Sequence, residues 1–419
     1  MVTRASYPKL RHAALLALAS CLCSALILSG CGTAELTLEP AAIKFACPIG
    51  EVEHYQLLAE AFQEAHPSVT VEILGHDWDV LGGINPHEAD VFVSSQFALT
   101  YMQDEGTLLN LSPFMEQDSA FDQQDFYPGM MDLYTSGGKV WGIPAGVDLV
   151  VMYYNQDLFD QYGVTYPERY WTWEDFLVKA DAITDEDTDT FGYVPNYDYF
   201  DPIMFVYQHG GRIFDDIQNP TTTTFDDPLT IEALEWYLEL MTTYHVAPTP
   251  DEVQQWRGGS IYAGVVQNRV GMWTGLLSDR GGRNWPVKWQ MRWGMATMPQ
   301  DQQAATLTLV NGYFIATDTP YPQACWEWIK FLSGQLPGSL APVRRSIAES
   351  SAFEQHAGSE VAEVARASLE NALLLSPRLA EFEDALGIFG AAFEQVLSGQ
   401  ATIDEAMQAA QEQARAQGM

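Results

Sequence analysis

The sequence predicts an α/β fold of two lobes that exchange segments, each lobe a mainly parallel sheet flanked by helices. Three observations carry that expectation. Strand-like and helix-like stretches alternate from Ile43 onward, a rhythm that lays strands parallel and puts helices on the sheet faces. The 419 residues, 47% hydrophobic, supply core enough for two or three domains. No repeat of constant period and no long linker interrupts the chain, which suits lobes joined by several crossovers better than domains strung in line.

The N-terminus stands outside that fold. Arg4, Lys9 and Arg11 form a basic start, Ala13 to Leu28 is apolar, and Leu28-Ser29-Gly30-Cys31 follows. Residues 1–30 read as a signal peptide whose last positions resemble a bacterial lipobox, making Cys31 the lipidated first residue of the mature chain. The competing reading is an uncleaved membrane anchor. Residues 31–40 are a tether. Loss of residues 1–30 lowers Lys plus Arg from 20 to 17 against 56 Asp and Glu, a net charge of −39. Such a surface repels nucleic acid and anionic lipid heads. Cys21 and Cys23 leave with the signal. Cys47 and Cys325 remain, able to pair in an oxidising compartment or to stay free. No cysteine or histidine spacing suits zinc.

The elements follow in order. Ile43 to Cys47 is a strand, and Tyr55, Leu58, Ala59 and Phe62 mark one face of a helix ending at His66-Pro67. Val69 to Leu74 alternates as a second strand. Ala89 to Ser95 is a third, followed by a helix from Leu99 to Glu105 that Gly106 stops. Gly137-Gly138-Lys139 is a turn. Val140 to Ile143 is strand-like and is expected to stop at Pro144. Val147 to Tyr154 is an apolar, β-branched run that reads as a buried strand. Asp148 is the odd residue in it, because a buried carboxylate needs a partner or a ligand. It is either a hydrogen-bonded crossover carboxylate or a ligand contact.

Beyond the crossover, Thr172 caps a helix with Glu174 and Asp175 in its first turn. Asp181 to Asp189 is a solvated acidic loop without calcium-loop spacing. Phe191 to Val194 is a strand, Ile203 to Gln208 a helix, and Thr230 to Tyr244 a longer helix with Leu234, Tyr237, Leu238 and Met241 on one face. Arg269 to Gly275 is a strand running into a loop. Trp285 to Trp293 reads as a hairpin. Val310 to Ala316 is a strand, Tyr321 to Leu332 a helix, and the end from Thr402 is helical.

Several of these pieces carry a resemblance. Gly138-Lys139-Val140-Trp141-Gly142-Ile143-Pro144, with Asp148 and Tyr154-Asn155-Gln156-Asp157-Leu158-Phe159, is similar to a segment of the extracellular solute-binding proteins of ABC importers, the sugar-binding family that includes maltose-binding protein. Gly210-Gly211, Val270-Gly271-Met272-Trp273, Gly312-Tyr313-Phe314-Ile315-Ala316, Pro342-Val343-Arg344-Arg345-Ser346 and Leu397-Ser398-Gly399-Gln400-Ala401-Thr402 recur in the family's order and cover nearly the whole mature chain. The resemblance implies a type II periplasmic-binding-protein fold with a ligand cleft between lobes. Lobe one would be 41–146 plus 313–345, and lobe two 148–311 plus 346–419. It implies a monomer without cofactor or catalysis, anchored outside the cell membrane by lipid, that captures a sugar or polyol and delivers it to a membrane permease with its partner ATPase. Asp148 matches the family's acidic sugar contact, Asp198 and Phe200 its acidic and aromatic pair, and Phe382 a late stacking aromatic. Ser94, Ser95, Phe97 and Ala98 depart from maltose-binding protein, so maltodextrin is not implied.

A sugar site needs carboxylates and amides for hydroxyl pairs, and aromatic planes for the C–H faces of the ring. That mixture occurs at Ser95-Gln96-Phe97, at Asp148, at Tyr197-Asp198 with Phe200, at Trp273-Thr274 and at Asn311-Gly312-Tyr313. Most of the twelve Trp, nineteen Tyr and twenty Phe must instead fill the core. Two other readings stand beside this one. A secreted hydrolase could use two of the many carboxylates, though no nucleophile-elbow, zinc-protease or phosphate-loop motif occurs. A ferric-ion-binding relative could use the adjacent Tyr153 and Tyr154.

Overall fold

A computed structural model describes residues 38–76, 87–195 and 201–419. The signal peptide, Cys31, and Tyr197, Asp198 and Phe200 lie outside the described residues. The strands are β1 (Ala41–Pro48), β2 (Val69–His76), β3 (Val91–Ser95), β4 (Thr135–Ser136), β5 (Lys139–Val140), β6 (Ile143–Asn155), β7 (Phe191–Val194), β8 (Val270–Leu276), β9 (Trp293–Ala296), β10 (Thr306–Ile315) and β11 (Ala372–Leu374). The helices that matter for the site are α1 (Val52–Ala65), α2 (Ala98–Asp104), α3 (Gln156–Tyr162), α4 (Trp173–Ile183), α5 (Asp201–Gln208), α6 (Pro228–Thr242), α7 (Pro322–Ser333), α8 (Ser359–Leu369), α9 (Glu383–Leu397) and α10 (Ile403–Ala416).

The sheet order is β2-β1-β3-β10-β6-β8-β7, with β11 added to β10 and β9 to β6. The outer pairs β1/β2, β1/β3 and β7/β8 are parallel, as the strand-helix rhythm predicts. The middle is not. β10 runs antiparallel to both β3 and β6, and β6 antiparallel to β8 and β9, so the sheet is mixed rather than mainly parallel. The physical reason is the return path. The chain passes between the halves through the two long strands β6 and β10, not through helical crossovers, and a strand that returns directly must lie antiparallel.

All 13 residues of β6 are buried, which its near-continuous apolar run requires. Pro144 does not end the strand. Gly146 pairs with Asn311 and Pro144 with Gly312, leaving Ala145 as the extra residue of a bulge. A bulge is one of the few sheet positions where a missing N–H costs little. Asn155 closes β6 and caps α3, accepting from the amides of Asp157 and Leu158. Thr172 forms a capping box with Asp175 at the start of α4.

Two hydrophobic clusters flank the sheet. One runs from Ile43, Phe45 and Phe62 through Tyr134, Phe314 and Trp328 to Tyr153, Trp273 and Trp289. The other packs α4, α5, α6, α9 and α10 against the opposite face of β6 and β8, around Met152, Tyr193, Phe205, Tyr237 and Phe389. The expected hairpin at Trp285 to Trp293 is absent: only Trp293 begins a strand. Tyr153 instead sets the position of that stretch, its ring meeting Trp289 edge-on at 4.8 Å and stacking on Trp273 at 5.9 Å. Among the described residues no helix is long and apolar enough to cross a membrane.

Candidate functional site

The middle of the sheet brings three of the expected residues onto one face. Ser95 pairs with Asn311, Asn311 with Gly146, and Leu309 with Asp148. Because paired residues and residues two apart share a face, Ser95, Asn311, Leu309 and Asp148 all look the same way. This is where the β3 half of the sheet meets the β8 half. Phe97, half-buried, lies at the end of β3 beside them.

The other described candidates are built into the interior. Gln96 donates to Leu375 O at 2.6 Å and accepts from Val310 N at 2.6 Å, so its amide ties β10 to the segment after β11. Thr274 pairs with Met152 of β6 and donates to the carboxylate of Asp201, 2.7 and 2.8 Å from its two oxygens. Trp273 and Tyr313 are buried, as is Phe382, which meets Phe214 edge-on at 5.3 Å. Gly312 serves packing: a Cβ there would sit 2.4 Å from the Tyr134 ring, whose hydroxyl donates to Val310 O.

Around Asp148 lies a polar network that the sequence reading does not contain. Asp148 accepts from Ser278 N at 3.0 Å and from Ser278 Oγ at 2.6 Å. Asn284 donates to Ser278 Oγ and to Asp279 Oδ1, both at 3.0 Å. Arg280 reaches out through one nitrogen, Nη1, to Leu277 O at 3.0 Å and Ser339 O at 2.7 Å. Ser339 in turn donates to Glu51 Oε1 at 2.9 Å, and Arg283 meets the same oxygen at 3.2 Å. Glu51 belongs to the turn between β1 and α1. The chain from β1 and the chain from β8 therefore touch through side chains at this point. Gly338 is required here, since its φ of +61° favours glycine and a Cβ would lie 2.4 Å from Glu51 Oε2. The signal that could have found these residues is their place. Ser278 to Asn284 is a polar, Gly-Gly-containing loop at the carboxyl end of a buried strand, where α/β sheets bind ligands.

The electrostatics follow from burial. Desolvation pushes the Asp148 carboxyl up to about 7, opposed by the two Ser278 hydrogen bonds and assisted by the nearby charge of Asp279. Burial lowers the Arg280 guanidinium from its usual range. His54, beside Glu51, is lowered by burial, with Glu51 opposing.

Tyr153 and Tyr154 point to opposite faces. Tyr153 donates to Leu276 O at 2.8 Å, while Tyr154 packs against Phe159 and Tyr166. Burial raises both phenols, which disfavours the phenolate that ferric iron takes. Among the described residues no group of three or more His, Cys, Asp or Glu is placed to hold a metal ion. Cys47 and Cys325 are free and buried, each thiol pushed up to about 12 chiefly by desolvation.

A sheet that the chain crosses twice, with a polar face where its halves meet, gives the two-lobed α/β fold of MalE-like proteins. Residues 50–335 match the family described as bacterial extracellular solute-binding protein, and the chain belongs to that family, whose members are binding proteins rather than enzymes. An arabinooligosaccharide-binding protein of Halalkalibacterium halodurans is 30% identical over 122 residues, which is 29% of this chain and 26% of that protein. The match thus spans about a quarter of that relative's length. The fold is shared with an ABC substrate-binding protein from Listeria monocytogenes, solved in complex with cycloalternan. Its TM-score is 0.75 at 20% identity, covering 90% of this chain and 99% of that one. It is shared as well with the sugar-binding protein MalE of Xanthomonas citri, with a TM-score of 0.73 at 20% identity over 89% and 96% of the two chains.

Proposed function

We propose that this chain is the substrate-binding component of an ABC importer. It captures a neutral sugar or polyol between its two lobes and delivers it, unchanged, to a membrane permease. The observation that carries this reading is Asp148: a buried carboxylate on the face where the halves of the sheet meet, bonded among the described residues to one serine. Ser95, Phe97, Asn311 and Glu51 border the same face. Lobe one is assigned to 41–146 plus 313–345 and lobe two to 148–311 plus 346–419. A ligand that touches both lobes favours the closed arrangement, because an open cleft offers it only one. Family membership and the oligosaccharides named for the similar proteins support a carbohydrate ligand. Cys31 carries the lipid that keeps the protein at the cell surface.

A thermal-shift panel of arabinotriose, maltose, mannobiose, tagatose and ribitol tests the reading, since a ligand that binds only the folded state raises the midpoint. A shift with at least one, and chromatographic recovery of that sugar intact, is the expected result. No shift with any of them, or turnover abolished by mutating one carboxylate, would count against it. Mass spectrometry of the N-terminal peptide checks for lipid on Cys31.

A further inference from the structure

Arg280 is held in an unusual way. Its two carbonyl bonds, to Leu277 and Ser339, both come from Nη1, so Nη2 and Nε donate to no described residue. A guanidinium carries five N–H donors, and most of this one is unspent among the described residues although the residue is half-buried. Asp148 is the counterpart. Each of its oxygens accepts one bond, both from Ser278, while a carboxylate can accept about four. The two charges feel each other through the protein interior, yet no ion pair joins them among the described salt bridges. Each is anchored by separate backbone groups, Arg280 by carbonyls and Asp148 by an amide. They form a neighbouring donor and acceptor that are anchored separately.

The geometry points to Arg280 as a specificity-determining residue that works with Asp148 to clamp two adjacent hydroxyls of a neutral sugar, the guanidinium donating to one and the carboxylate accepting from the other. This rests on the sugar-binding reading. A hydroxyl both donates and accepts, so a vicinal diol satisfies the pair without bringing a charge into the pocket. A uronate would satisfy Arg280 but set a second carboxylate beside Asp148 and Asp279, which burial makes costly. The site therefore selects neutral sugars with adjacent free hydroxyls over acidic ones.

The test is isothermal titration of wild type, Arg280→Lys, Asp148→Asn and the double variant with arabinotriose, maltose and digalacturonate. Lysine keeps the charge and can keep one carbonyl bond but cannot fork. The expected result is that a neutral probe binding wild type weakens about ten- to a hundredfold in each single variant. The double variant should lose no more than about the larger single loss, because both groups hold one hydroxyl pair. Digalacturonate should bind wild type no better than the neutral probe. Full affinity in Arg280→Lys with a lowered apo melting temperature would show that Arg280 only ties Leu277 to Ser339, and the inference would fall while sugar binding stood. Additive losses, or tighter binding of digalacturonate, would also overturn it. If neither neutral sugar binds wild type, the inference falls together with the reading it rests on. Arg280→Gln, with its fold checked by circular dichroism, gives the same comparison should the lysine variant misfold.

Discussion

Two buried carboxylates lie against the same sheet, and they have opposite surroundings. Asp201, at the start of α5, is fully buried; Tyr193 donates to it at 2.6 Å and Thr274 donates to both of its oxygens. It lies at a helix N-terminus, where negative charge is favoured. Asp148 is nearly as buried but, among the described residues, takes its hydrogen bonds from Ser278 alone, with Asp279 close and Arg280 anchored elsewhere. Burial alone thus does not separate a structural carboxylate from one proposed to meet a ligand. What separates them is whether the surrounding groups spend the carboxylate's capacity. Asp201 holds two elements together, whereas Asp148 keeps capacity in reserve.

The largest test of that contrast is Asp201→Ala. It removes the acceptor that the Tyr193 and Thr274 hydroxyls share, and at about 1–3 kcal/mol for a buried polar group that loses its partner the loss of stability should be at least about 1–3 kcal/mol. Urea unfolding measures it. A loss well under 1 kcal/mol would remove Asp201 from the structural side.

Next comes pH. The Asp148 carboxyl titrates near 7 when folded, against about 3.9 when unfolded. Between those values the folded chain binds more protons than the unfolded one, so stability from this group is full at low pH and is lost as pH rises through about 4 to 7. The change is on the order of a few kcal/mol. Asp148→Asn should abolish that segment of the pH dependence, read as the difference between the two proteins' melting curves. Parallel curves would mean that Asp148 is ionised throughout.

Ligand affinity gives a smaller effect. Asp148→Asn should weaken binding of whichever sugar of the panel binds by about ten- to a hundredfold, from roughly 1.5–3 kcal/mol for a charged hydrogen bond. Asp201→Asn, whose carboxylate is tied to Tyr193 and Thr274, should leave affinity nearly unchanged if the variant folds. Equal losses in calorimetry would erase the distinction between the two carboxylates. The smallest effect belongs to the rim. Arg283, side chain 43% exposed, meets the less exposed Glu51 at 3.2 Å, so Arg283→Ala should change apo stability by no more than about 1 kcal/mol.

Much of the fold is legible locally. Thr172 and Asn155 mark their helices because capping needs only a side-chain oxygen and the next few amides. The C-terminal helix shows its capping box at Thr402 and Glu405. Asp148 stands out because it interrupts an apolar run. The departures lie where a distant partner decides. Pro144 looks like a strand end until β10 supplies the bulge that accommodates it. Trp285 to Trp293 looks like a hairpin until Tyr153 and Trp273 draw its rings inward. Gln96 looks like a ligand amide until Leu375, 279 residues on, takes its N–H.

The sequence by itself determined the α/β class, the buried crossover strand, the helix starts and the presence of one misplaced carboxylate, because each depends on periodicity or chemistry within a few residues. Only the tertiary structure decided that the middle of the sheet is antiparallel, that Ser278, 130 residues from Asp148, supplies its hydrogen bonds, and that Arg280 stands beside it with donors unspent. Side-chain alternation along a strand says which residues share a face, but not which other strand or loop will lie across from them. That second choice is made by packing the whole chain, where the cost of burying a charge is weighed against partners that no local pattern records.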